Sequence, residues 1–228
     1  MSVDVIAIDG PAASGKSTVA ALLSKRLGIP YVNTGNMYRA LTLFAIQNGV
    51  TCAEECTEAL FSRLLPQVKL EYKAGTDGSF ALFLNGRDPG TALRSPQVAA
   101  FVSPVAALPI VREYLKKCQR DFAARGRVVM EGRDIGTAIF PDAAHKFFVT
   151  ASPETRARRR LAQSGETFDG ATLQSVAADI AQRDYIDSHR PIAPLRQADD
   201  AILVDTTEMT IEEVVNLLTE KVETNGLS

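Results

Sequence analysis

Apolar positions follow two rhythms along this chain. Short, nearly continuous apolar runs fall at residues 3–8, 30–32, 128–130, 146–149 and 201–204. Runs of that length between polar segments read as strands buried on both faces. Between them the spacing lengthens to three and four. Val19, Leu22, Leu23 and Leu27 form one helical stripe, with Gly28 as its stop. Val214, Val215, Leu217 and Leu218 form another, entered through TIEE at 210–213, a capping box in which Thr and Glu satisfy each other's backbone N–H. A third helix opens at Ser152 and Pro153, a hydroxyl cap followed by a residue whose missing N–H costs nothing in a first turn. Strands separated by helices predict βαβ units and a parallel sheet.

The stretch from about 64 to 95 leaves this pattern. VKLEY at 68–72 and SFALFLNGR at 79–87 alternate in strand fashion around Gly75 and Gly78. Two strands this close cannot be joined by a parallel crossover, so they predict an antiparallel hairpin inserted into the main fold. There is no internal repeat or low-complexity tract, and residues 223–228 are expected to fray.

GPAASGKST at 10–18 fits G-x-x-x-x-G-K-[ST], placed as the motif requires between an apolar strand and an amphipathic helix. Gly10 and Gly15 let the backbone approach phosphate oxygens, and the N–H groups of Pro11–Thr18 that are present (Ala12, Ala13, Ser14, Gly15, Lys16, Ser17 and Thr18) converge on the loop. Lys16 can neutralise β/γ-phosphate charge and the Ser17 hydroxyl can ligate Mg²⁺. The chain is therefore expected to bind a nucleoside triphosphate, ATP by default. No N-K-x-D segment follows a later strand, which counts against a guanine-specific switch.

Charge then interrupts apolar faces in three places. The strand at 128–130 runs straight into Glu131, Arg133 and Asp134, costly at the mouth of a buried run unless they have partners. In residues 173–190 the stripe begun by Val176 and Ile180 continues as Arg183, Asp187 and Arg190. That face suits a phosphate and sugar hydroxyls, although a solvated last turn with an ion pair would show the same spacing. TRARRR at 155–160 places Arg156, Arg158, Arg159 and Arg160 on one short helix, a charge density that suits a lid closing on phosphates, with some of the four simply on the surface.

Composition narrows the picture only at its margins. The 228 residues, 46% hydrophobic and 23% charged, can bury a core as one large domain or a core with an inserted lobe. A net charge of -2 gives no long-range attraction to nucleic acid, so anions must be held by local clusters. Cys52, Cys56 and Cys118 have no second Cys/His pair at ligand spacing and read as plain thiols of a reducing cytosol. The N-terminus has no basic region and reaches Asp4 and Asp9 too soon for a signal peptide, and no run approaches a membrane span. The expectation is a soluble cytoplasmic protein.

Together, GPAASGKST, NTGNMYRA, EGRDIGTAIFPDA and RDYIDSHRPIAPL closely resemble the bacterial cytidylate kinases, over nearly the whole chain and in order. The resemblance implies a P-loop nucleoside monophosphate kinase fold: an α/β three-layer sandwich, five-stranded parallel sheet with helices on both faces, plus a small antiparallel β insertion. It implies a core over residues 1–33 and 126–228 with a lid at about 152–170, and a monophosphate-binding region over 34–125. It implies transfer of the ATP γ-phosphoryl group to CMP or dCMP with Mg²⁺, by a monomer. Thr34, Arg39, Arg133 and Arg190 would surround the acceptor phosphate; Arg183 and Asp187 would hold the sugar; Ser103, Arg112 and Asp134 would meet cytosine. Lys16, Arg133 and Arg190 would serve catalysis, Arg156 and Arg159 the ATP, and Ser17 and Glu131 the metal, the latter through water. Thr34 stands where Ser is common and Glu131 where Asp is common, each keeping its functional group. Without the resemblance, Arg112 reads as a surface residue and Ser103 equally as a helix cap ahead of Pro104, while Arg39, which a simple strand-end turn would leave exposed, is drawn toward the site by its place straight after the second strand. Rival readings are a P-loop kinase for another small acceptor and a nucleotide-dependent switch that needs a partner protein; a purely structural role leaves the three charged clusters unexplained.

Overall fold

In a computed structural model that describes residues 4–74, 80–163, 167 and 170–224, alternation along β1 (Val5–Asp9) sets the layers. Val5 and Ala7 face one side of the sheet, Ile6 and Ile8 the other, and both sides are apolar. β1 is the central strand. It pairs in parallel with β5 (Val128–Glu131) and β6 (His145–Thr150). β2 (Tyr31–Asn33) adds beyond β5 and β7 (Ile202–Asp205) beyond β6, giving the order β2-β5-β1-β6-β7. All five strand expectations hold, with ends displaced by a residue or two; residue 3 lies outside the described residues.

One face is covered by α1 (Lys16–Leu27) and α8 (Ile211–Thr224), through Val19, Ala20 and Leu23 from the first and Val214, Val215, Leu218 and Val222 from the second. Leu22, expected in the buried stripe, is exposed; the buried face of α1 runs through Val19, Ala20 and Leu23. The capping box of α8 forms as expected, with Glu213 accepting from Thr210 N and Oγ1 and Thr210 Oγ1 accepting from Glu213 N. Glu223 and Thr224 belong to that helix rather than to a frayed tail, and residues 225–228 lie outside the described residues.

The other face carries α2 (Thr34–Gln47), α3 (Glu58–Leu64), α4 (Pro96–Ala107) and α5 (Pro109–Ala123). Between α3 and α4 stand β3 (Leu70–Ala74) and β4 (Phe80–Leu84), an antiparallel pair as expected, whose turn at 75–79 lies outside the described residues. Tyr72 and Phe80 anchor the pair edge-on to Phe122 of α5. Ser103 is not a cap. It lies inside α4 with Pro104, and the cap is Ser95, whose Oγ accepts from Val98 N ahead of Pro96. α6 (Pro153–Leu161) begins at the expected Ser152 cap, and α7 (Leu173–His189) ends with Arg190 as its C-cap before Pro191.

Candidate active site

Five parallel strands end at one edge, and the charged residues gather there, as ligand sites of open α/β sheets do. They line a cleft of about 390 Å³. Residues 12–18 form its floor, with Gly15 as the N-cap of α1, so that the amide end of the helix opens into the cleft. Gly10 and Pro11 do not line it. Gly10 was expected to clear a path for phosphate, but the structure gives another cause: a Cβ there would sit 2.0 Å from the Val149 carbonyl oxygen of β6. Lys16 is buried and folded back on its own loop, donating to Pro11 O at 2.7 Å and Ser14 Oγ at 3.4 Å. Burial, with Arg133 close by, draws its pKa down to about 7.

Glu131 ends β5 beside the loop. Its Oε1 accepts from Ser17 Oγ at 2.6 Å and from the Tyr31 hydroxyl at 3.1 Å. Thr34 Oγ1 donates to the Glu131 carbonyl at 2.8 Å, and an added Cβ on Gly132 would lie 2.6 Å from that hydroxyl. Any larger residue there would have to displace the Thr34 or Ile135 side chain. Among the described residues no three His, Cys, Asp or Glu side chains stand together as a metal cage. The Ser17–Glu131 pair suits instead a Mg²⁺ that keeps its waters and phosphate oxygens.

Beyond Glu131 the cleft turns cationic. Arg133 donates from Nε to Asp187 Oδ2 at 3.0 Å. Arg190 donates to Asp134 Oδ1 at 3.3 Å and to Ala193 O at 2.7 Å. Arg39, which could have been a surface residue, is buried and donates to Leu93 O at 3.0 Å. Arg183 and Ser103 also line the cleft. Burial, then repulsion from Arg133, brings Arg183 down to about 9; burial and neighbouring arginines bring Arg39 and Arg160 down to about 10. For Asp187 burial pulls upward, and Arg133, Arg183 and Arg190 outweigh it, holding the carboxyl below its usual range. A group of cations that disfavour one another is a site shaped for an anion. The apolar-to-charged switch along α7 is therefore present: Val176 and Ile180 are buried, then Arg183, Asp187 and Arg190 turn into the cleft.

Arg112 and the arginines of TRARRR have protein partners in this structure. Arg112 is buried, but behind the cleft, where it pairs with Asp134 Oδ2 and donates to Ala106 O at 3.2 Å. Its visible role is to hold Asp134. Arg156 and Arg159, expected on ATP, lie against the phosphate loop, and several of their N–H groups donate to protein acceptors. Arg156 donates to Ala151 O and Ala12 O, and Arg159 to Ser14 O and Thr206. Arg158 is exposed and paired with Glu154. Of TRARRR it is Arg160 that lines the cleft. The lid expectation beyond 163 falls largely outside the described residues.

Sequence reading missed Tyr31, Asn33, Asn36, Tyr38 and Arg94 in the lining. The first four follow from β2 and α2 ending and starting at the sheet's ligand edge, a signal that was available in NTGNMYR. Arg94 had none; it ends a short 3-10 helix at Gly90–Arg94.

A nucleotide switch has no use for a second cationic pocket abutting its phosphate loop. A phosphotransferase does, and the fold and cleft are those of a P-loop kinase. The family description cytidylate kinase matches residues 6–224, and the chain belongs to that family. A cytidylate kinase of Streptococcus equi subsp. equi is 46% identical over 218 residues, covering 96% of this chain and 95% of its own length. One of a Geobacillus species is 48% identical over 215 residues, 94% of each chain. Among solved structures, an uncharacterized protein from Eubacterium ventriosum superposes with a TM-score of 0.50 at 12% identity, covering 96% of this chain and 98% of that one, a likeness of fold alone.

Proposed function

We propose that this protein transfers the γ-phosphoryl group of ATP directly to the phosphate of CMP and dCMP, giving CDP and dCDP. The observation that carries the reading is the junction of two pockets in one cleft: the phosphate loop, and Arg39, Arg133, Arg183 and Arg190 beside it. Residues 12–18 would hold the triphosphate, with Lys16 released from Pro11 and Ser14 to meet it. Bound Mg²⁺ would neutralise phosphate charge, reached by Ser17 directly and by Glu131 through water. The acceptor oxygen is already ionised, so no general base is needed; the protein's work is alignment and charge compensation. Lys16 and Arg133, both in the cleft lining, would meet the charge that builds up in transfer, with Arg190 and Thr34 on the acceptor phosphate. Residues 34–125 act as the acceptor-side lobe against a core formed by 1–33 and 126–228, and the protein works as a soluble cytoplasmic monomer.

Cytosine is read through Asp134. Arg112 and Arg190 fix its carboxylate, each on one oxygen, and Ser103 lies nearby on the cleft wall. The cytosine amine donates to such an acceptor, whereas uracil presents an oxygen. A fixed acceptor facing another acceptor rejects the analogue strongly. The test is a panel of monophosphates and hydroxylated metabolites with Mg-ATP. CMP and dCMP should be turned over with kcat/KM about 100-fold or more above UMP; equal use of UMP at subsaturating substrate would remove the role of Asp134, and turnover confined to another acceptor would remove the assignment.

A further inference from the structure

Asp184 neighbours Arg183 on α7 yet does not line the cleft. One residue on, a side chain projects about 100° further round the helix, which turns this carboxylate from the acceptor pocket to the phosphate loop. There Oδ1 accepts from the Ala12 N–H at 3.3 Å, and Oδ2 pairs with Arg156 of α6. Arg156 closes the ring, donating to the Ala12 carbonyl at 3.3 Å and to Ala151 O at 3.1 Å. Ala12 is thus gripped at its N–H by the acceptor helix and at its carbonyl by α6. The next residue, Ala13, has φ +58°, a left-handed conformation that a side chain disfavours and that its surroundings must impose. Ala13 also packs against the apolar cluster of Ala157, Val176 and Ile180, from the same two helices. One polar clamp and one apolar contact therefore tie the loop to α6 and α7.

Resting on the donor and acceptor assignments above, we propose that Asp184 is a positioning residue that couples the two substrate sites through Ala12. Arg183 and Asp187 meet the acceptor on one face of α7; Asp184 reports the position of that helix to the phosphate loop. An acceptor that orders α7 thereby orders Ala12 and Ala13 for the donor, and linkage makes the effect reciprocal. Neither Asp184 nor Arg156 touches a substrate in this role. The Asp184 side chain is 21% exposed and that of Arg156 10%, so water offers only a partial substitute for either partner.

The experiment measures the affinity of a non-hydrolysable ATP analogue with and without saturating CMP, by calorimetry, on the unmodified protein, Asp184→Ala and Asp184→Asn. CMP should tighten analogue binding by about fivefold or more in the unmodified protein, and by less than about twofold in Asp184→Ala. Asp184→Asn should fall between, because its amide oxygen can still accept from Ala12 but cannot pair with Arg156 as an ion. CMP binding alone should change by less than about twofold in each, a split that a general loss of structure would not produce. Undiminished coupling in folded Asp184→Ala, or absence of coupling in the unmodified protein, overturns the proposal. Should Asp184→Ala fail to fold, Arg156→Lys keeps the charge without the planar grip and must lose coupling in the same way. Failure of the unmodified protein to bind either ligand alone would count against the kinase reading itself, and is distinguishable from coupling kept or lost.

Discussion

At Gly10 a hydrogen in place of a methyl group decides whether the phosphate loop can lie against β6. Its φ of +147° is unfavourable for any side chain, and the obstacle at 2.0 Å is a main-chain carbonyl that cannot rotate aside. Gly10→Ala is therefore expected to destabilise the fold by about 3 kcal/mol or more, read as a lower midpoint in urea, before any effect on nucleotide is considered. Gly15 differs: the nearest atom to its Cβ position is Arg159 Nη1 at 3.6 Å, an ordinary contact, and its φ of +92° is the only obstacle. Two glycines of one motif answer to two different constraints.

Between residues and the molecule stands the joint of β1 with the turn after β5. Asp9 ends β1, and its carboxylate accepts from Ile135 N at 2.8 Å and Gly136 N at 2.7 Å, fixing the π-helical turn at Ile135–Ile139 that follows Arg133 and Asp134. Burial raises its pKa from 3.8 to about 7, against the two backbone bonds. An acid so raised binds more protons folded than unfolded between those values, so its contribution to stability falls as pH rises from about 4 to 7. Asp9→Asn removes that titration and leaves one N–H poorly matched. The variant should be less stable at pH 5 by about 1–3 kcal/mol, and the gap should narrow toward pH 7 in thermal melts; parallel curves would exclude the effect. Elements were the most legible level of the sequence. Continuous apolar runs marked all five sheet strands, although only β1 and β5 are buried throughout and edge strand β7 exposes Leu203, and Ser152 and TIEE marked two helix starts. Stripes were less decisive about depth: Leu22 fits its stripe and is exposed, while Arg112 lies beside its stripe and is buried. Periodicity gives a direction round a helix, and what stands in that direction comes from elsewhere in the chain. For the same reason the charged turn of α7 could be read, but not the division of labour within TRARRR, where Arg156 and Arg159 answer to Ala12, Ser14 and Thr206, far away in sequence.

For the whole molecule, the consequence lies in the arginines that burial, and then one another's charge, draw down. Folding gathers Arg39, Arg133, Arg160 and Arg183 near the cleft, where burial first and neighbouring arginines second lower the values of Arg39, Arg160 and Arg183, so that an entering anion meets positive charge already assembled. Ligands that meet this cluster bind only the folded chain. At a hundredfold excess over Kd one ligand adds about 2.7 kcal/mol, or roughly 5–10 °C in Tm for a chain of this size. CMP should therefore raise the melting temperature measurably in a thermal shift assay, and slow cleavage by an added protease by a comparable factor; an unchanged Tm at saturation would contradict this account of the cluster. A protein made this way carries a gauge of its own supply, since how long each molecule lasts depends on how much nucleotide surrounds it.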